Sequence, residues 1–131
     1  MGIHPSWYLE GRIVSLKLTE TLLENQLIVL DKLMTTYLRA GTVPQVHVML
    51  DISELTSLPP IMALSRMNFL RHHRNGWWMI IGGRPGSAIH NTLHLLADTY
   101  QIQYTDKADE SAARTFLQAV DPTVRAPAYS R

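Results

Sequence analysis

The spacing of apolar positions changes along the chain and predicts its elements. From Trp7 to Leu18 apolar and polar residues alternate, with Val14, Leu16 and Leu18 facing one way and Ile13, Ser15 and Lys17 the other. That period of two is the mark of strands, and Glu10-Gly11 between the halves predicts a hairpin turn or a bulge at a sheet edge. The period then lengthens. Leu23, Leu27, Leu30, Met34 and Leu38 recur at helical spacing, with Glu24, Gln26, Asp31, Lys32 and Thr35 on the polar face. Thr21-Leu22-Leu23-Glu24 has the spacing of a capping box, so a helix is expected to start there. Gly41 is expected to close it in a left-handed conformation.

The apolar run from Val46 to Ile52 predicts a buried strand, followed by a loop from Asp51 to Pro60. Pro60 suits an early helical position, because its missing N–H needs no partner there, and a second helix is expected to run to about His73. Asn75-Gly76 signals a turn, and Trp77 to Ile81 reads as a central strand with Trp77 and Trp78 on opposite faces. The Gly82-Gly83-Arg84-Pro85-Gly86 segment cannot continue it. A third helix follows, with Ile89, Leu93, Leu96 and Tyr100 along one stripe. Ile102 and Tyr104 mark a short strand, and Ala112, Ala113, Phe116, Leu117 and Val120 a last helix that ends before Asp121-Pro122. Residues 1–122 form one domain in this reading, and 123–131 a flexible tail. Two β-rich runs separated by one helix predict adjacent parallel strands, hence an α/β fold. The loop after Asp51 then falls at the carboxyl ends of the strands, where such folds place their function.

Composition narrows the function classes. The chain has 131 residues, enough to bury a core without staples, and 46% hydrophobic against 18% charged residues is ordinary for a globular protein. A net charge of +1, from 12 basic against 11 acidic residues, provides no broad field for nucleic acid or an anionic membrane. There is no cysteine, so disulfide and thiolate chemistry are out. The apolar runs are too short to span a bilayer and no signal-peptide pattern is present, so a cytoplasmic protein is expected.

Candidate chemistry is sparse. Asp51 and Glu54 could pair as carboxylates, but a strand-end Asp ordinarily bonds its own loop, and no nucleophile stands beside them. Thr56 and Ser57 precede the expected helix, where hydroxyls cap. Gly82, Gly83 and Arg84 could cradle an anion, yet the P-loop lysine and the dinucleotide spacing are both missing, and a strand-to-helix turn explains them. His90 and His94 share a helix face with Asp98, a spacing that can hold a metal. Without the glutamate of the metalloprotease pattern, the pair reads as solvated or partly packed, and neither metal nor cofactor is expected. Arg66, Arg71 and Arg74, with His72 and His73, concentrate positive charge near the end of the second helix, either complementing its dipole or forming a partner patch. Met49, Met62, Met67 and Met79 read as core filler.

The order of two strands and then helix, strand, helix, strand, helix, strand, helix resembles the STAS fold of bacterial anti-sigma factor antagonists. Locally, Val46 to Ser53 followed by a helix, the Gly76–Gly82 strand, and Ala108 to Pro122 are similar to STAS-like proteins of little-known function. The resemblance spans about residues 6–122 and implies a mixed sheet of about five strands with four helices. In the antagonists an Asp-x-Ser segment leads to a phosphorylated serine at the next helix start. This chain has Asp51-Ile52-Ser53, but Pro59-Pro60-Ile61-Met62 stands at the later positions, with no hydroxyl there. The resemblance thus implies a non-catalytic regulatory or protein-interaction module without that phospho-switch. Its binding surface would comprise Asp51, Ser53, Glu54, Thr56, Ser57, Gly82, Gly83 and Arg84, its partner a regulatory protein, with homodimerisation open. A binding module for a small apolar or lipid-like ligand is the alternative, and an enzyme ranks third.

Overall fold

The structure is a computed structural model and describes residues 2–42 and 44–124. The alternating N-terminal stretch becomes strands β1 (Ile3–Leu9) and β2 (Ile13–Thr21), joined through Gly11 and paired antiparallel. The first helix, α1 (Leu27–Arg39), starts later than its sequence predicts, after a 3-10 turn over Glu24–Gln26. Thr21 does not cap it. That residue still belongs to β2 and its hydroxyl pairs with Thr56 Oγ1 at 3.0 Å, while Gln26 Oε1 accepts the Leu23 N–H at 2.8 Å. Leu23 consequently sits outside the buried stripe, which Leu27, Leu30, Met34 and Leu38 form as expected. Each such side chain contributes about 1.5–3 kcal/mol on burial.

Gly41 follows the helix without the left-handed backbone expected of it. A Cβ there would lie 2.4 Å from Val46 Cγ2, so close approach to the next strand is what requires glycine.

Strand β3 (Val46–Ser57) is longer than the sequence suggests and absorbs most of the expected loop. Its polar half pairs in parallel with β2 through two irregularities: Lys17 faces Asp51 but Thr19 faces Glu54, and Glu20 faces Leu55 but Thr21 faces Ser57. Such bulges bend a strand and re-aim its side chains.

The expected second helix is broken. Only one turn, α2 (Ile61–Leu64), forms after Pro60, and a separate 3-10 helix covers Asn68–Arg71. Asp31 from α1 explains the break: its carboxylate accepts the N–H groups of Asn68 (3.0 Å) and Phe69 (2.8 Å), capping a new helix start. Phe69 and Leu70 are thereby driven into the core.

Strand β4 (Asn75–Ile81) pairs in parallel with β3, as expected, and β5 (Tyr104–Lys107) pairs in parallel with β4. Helix α3 (Ala88–Thr99) lies between them in sequence, and α4 (Glu110–Val120) follows β5. The result is a mixed five-stranded sheet in the order β1-β2-β3-β4-β5 with four helices. Val14, Leu16, Val48, Leu50, Trp78 and Ile80 pack against α1, α2 and α3 on one face. Ile13, Met49, Met79 and Ile81 pack against Ala113 and Leu117 of α4 on the other. Trp77 joins that second layer, edge-on to Phe116 at 4.9 Å, so the two tryptophans do face opposite ways. Packing continues through Val124, which is buried in the same layer. Residues 125–131 of the expected tail lie outside the described residues.

Candidate functional site

Beside the carboxyl end of β4, the first β3 irregularity is held by Asp51 and Ser53. Asp51 Oδ1 accepts both the Ser53 N–H (2.9 Å) and the Ser53 hydroxyl (2.7 Å). The Asp-x-Ser motif is thus a local clamp on a bulge, the same chemistry as an Asx turn. Gly82 presses on it. With a φ of 78° and a would-be Cβ 2.6 Å from Ser53 Cβ, that glycine meets two demands no other residue satisfies.

Ser53 and Thr56 from β3 and Gly82, Gly83 and Arg84 from the next loop line one open depression of about 510 Å³, closed on its far side by Ser87 and Ile89 of the α3 start. Asp51 opens instead onto a smaller groove of about 360 Å³, shared with Ser15, Lys17, Ala108, Asp109 and Glu110 at the start of α4. Glu54 pairs with Lys17 at 2.8 Å, and the hydrogen bond and charge of Glu54 raise the Lys17 ammonium above its ordinary pKa. Ser57 ends the strand, its carbonyl accepting the Leu22 N–H. Neither Thr56 nor Ser57 caps α2. Pro60 stands at the cap position, and its carbonyl accepts the Ala63 and Leu64 N–H groups. Chemically the cluster is made of closed pairs: Asp51 with Ser53, Glu54 with Lys17, Thr56 with Thr21. The Ser53 hydroxyl is spent on the carboxylate beside it and the Thr56 hydroxyl on that of Thr21.

The three arginines expected near the end of a second helix are dispersed by its break. Arg66 reaches Glu24 at 3.5 Å, with both side chains mostly in solvent. Arg71 lies 5.0 Å over the Tyr100 ring and donates to its hydroxyl. Arg74 donates to the carbonyls of Leu38, Arg39 and Gly41, so it caps the C-terminus of α1.

A second groove, also of about 510 Å³, runs between the start of α1 and α2. Leu27, Ile28, Ala63 and Met67 form its apolar wall, and Glu24, Asp31 and Arg66 its polar rim. Ile28 is 66% exposed and Met62 75%, so Met62 is not the core filler its composition suggests. Met49, Met67 and Met79 are buried. Inside the protein the space among Leu16, Met34, Leu50, Leu64, Trp78 and Leu93 is only about 30 Å³.

Two side-chain constellations depend on partners far away in the sequence. His47 on β3 is buried; its Nδ1 accepts the Trp77 N–H at 2.9 Å and its Nε2 meets Asp121 Oδ2 at 2.7 Å. This arrangement fixes the Nε2–H tautomer. Burial pushes the Asp121 pKa up, but hydrogen bonds from the Thr123 hydroxyl, His47 and the Thr123 N–H outweigh it and hold the carboxyl below its ordinary value. The signal in the sequence is a histidine inside an apolar strand. The second constellation joins His90 and His94 to Asp106 of β5 rather than to Asp98, which faces the Tyr104 hydroxyl at 3.4 Å.

Among the described residues no helix is long and apolar enough to cross a membrane. No family model matches the sequence, and no curated protein matches it either. A solved structure does match in fold: an uncharacterised protein of the DUF3478 family from Shewanella loihica PV-4, described as having a SpoIIAA-like fold. It superposes with a TM-score of 0.65 over 88% of this chain and 91% of its own, at 15% sequence identity. The chain therefore has a SpoIIAA-like, that is STAS-like, α/β fold.

Proposed function

We propose that this protein is a non-catalytic interaction module that binds a regulatory protein partner through the groove between α1 and α2. One observation carries the reading: apolar surface is left on the outside of the molecule, where Ile28 stands exposed in a groove lined by Leu27, Ala63 and Met67, and Met62 is exposed on α2, one residue before Ala63. Exposed apolar residues gathered around a groove with a charged rim are how protein-interaction surfaces are built. The interior argues the same way, since a void of about 30 Å³ holds roughly one water and no lipid-like ligand. The closed polar pairs at the carboxyl edge support a structural use of Asp51, Ser53 and Glu54. With Pro60 at the start of α2, partner release by phosphorylation of that helix start has no acceptor.

The test is affinity capture from the source cell with the full chain and with an Ile28→Asp, Met62→Asp variant, the eluates being analysed for proteins and for small molecules. A protein retained in stoichiometric amount by the wild type and lost by the variant is the expected result. A stoichiometric apolar small molecule, or retention equal in both forms, overturns the reading. Light scattering at the same concentrations identifies the case in which the occupant is a second copy.

A further inference from the structure

We propose that His90, His94 and Asp106 form a binding site for one divalent transition-metal ion of the imidazole-preferring class, with zinc as its type. His90 and His94 lie one helical turn apart on α3, and both Nε2 atoms converge on the same carboxylate oxygen of Asp106, at 3.1 Å and 2.9 Å. The ligand atoms of the three residues all lie within 4.8 Å of one another. Around a tetrahedral zinc ion with bonds of about 2.0–2.1 Å, ligand atoms stand roughly 3.3 Å apart. Each carboxylate-to-imidazole distance therefore needs to open by only a few tenths of an ångström for an ion to enter.

The rings are already held. His90 is buried, and its N–H donates to Ser87 Oγ at 3.2 Å, fixing the first turn of α3. His94 packs between the His90 ring at 3.9 Å and the Tyr104 ring at 4.5 Å. His90 Nδ1 is buried without a hydrogen-bond partner, so the polar contact of that ring is the one made at Nε2. Rotamers fixed by packing are what a metal site needs before the metal arrives. On the outer side, the Asp106 side chain is 44% exposed, which leaves room for water to complete the coordination shell. Two imidazoles and one carboxylate favour zinc, cobalt, nickel or copper over magnesium and calcium, which seek oxygen ligands. The site shares no residue with the α1–α2 groove, so it stands or falls independently of the interaction reading.

The experiment titrates the full chain with Zn²⁺ by calorimetry and with Co²⁺ by visible absorption, whose intensity reports low-symmetry, four-coordinate binding. One ion per chain is expected, with no heat from Mg²⁺. His94→Ala and Asp106→Asn should each weaken Zn²⁺ binding by roughly tenfold or more, at least what loss of a supporting outer-shell group does. A His72→Ala, His73→Ala variant, which alters the stacked histidine pair elsewhere on the surface, should bind like the wild type. Asp106→Asn keeps the side-chain volume and carries the test should His94→Ala fail to fold. No saturable Zn²⁺ binding, affinity within twofold of wild type in the Asp106→Asn form, or loss of binding in the His72/His73 variant overturns the proposal.

Discussion

Replacing Asp121 with alanine isolates the contact that ties the end of α4 to the sheet. In the native structure Asp121 Oδ2 accepts from His47 Nε2 at 2.7 Å, while Oδ1 accepts the Thr123 N–H and hydroxyl at 3.0 and 2.6 Å. The Thr123 groups are exposed, so water replaces their bonds at little loss. His47 is only 1% exposed, and its Nε2–H is left buried without an acceptor, a change that costs about 1–3 kcal/mol. With the Thr123 bonds adding little, we expect Asp121→Ala to lower stability by roughly 1–3 kcal/mol, read as a urea midpoint shift at constant m. The corresponding fall in Tm is roughly 3–15 °C for a domain of this size. Asp121→Asn keeps an acceptor oxygen and should lose about 1 kcal/mol. Acid adds a second check. Because the folded carboxyl titrates below its ordinary value of 3.8, its contribution is present above that pH and lost as pH falls through the lower folded value. The wild-type advantage over Asp121→Asn should therefore shrink only below about pH 4. An Asp121→Ala protein within about 0.5 kcal/mol of wild type would refute the reasoning, since it would mean that His47 finds another acceptor.

The remaining expectations concern the arginines and the helix start. Arg74→Glu should destabilise the protein by about 1–3 kcal/mol, because it uncaps the carbonyls at the end of α1, whereas Arg66→Glu should stay within about 1 kcal/mol of wild type in the same urea titration. Incubation with ATP and a kinase of the anti-sigma-factor type should leave Thr56 and Ser57 unmodified by mass spectrometry. Stoichiometric phosphate on either would show that the proline at the start of α2 does not remove the switch.

Sequence spacing captured what depends on near neighbours in the chain. The stripe from Leu27 to Leu38 needs only a period of 3.6, and the runs ending at Ile52 and Ile81 need only length and β-branched content, so α1, β3, β4 and their parallel pairing were legible. What failed required a partner from far away. Asp31 breaks the expected second helix from 37 residues upstream, and β2 supplies the template that turns the polar stretch after Asp51 into strand. The same holds at the candidate sites. Asp51 with Ser53 was readable as a local bond, but Asp106 reaches His94 only because β5 is laid beside α3 by the sheet, and spacing along the helix pointed instead to Asp98.

The unequal covering of the sheet has a consequence for how the chain is made. One face is roofed by α1, α2 and α3, but the other depends on α4 and Val124, which come after all five strands in sequence. During synthesis the three-helix layer can close while Ile13, Met49, Met79 and Ile81 still face water, and it is this half-finished surface that invites association with other nascent chains. That face is complete only when Asp121, just past the end of α4, reaches His47.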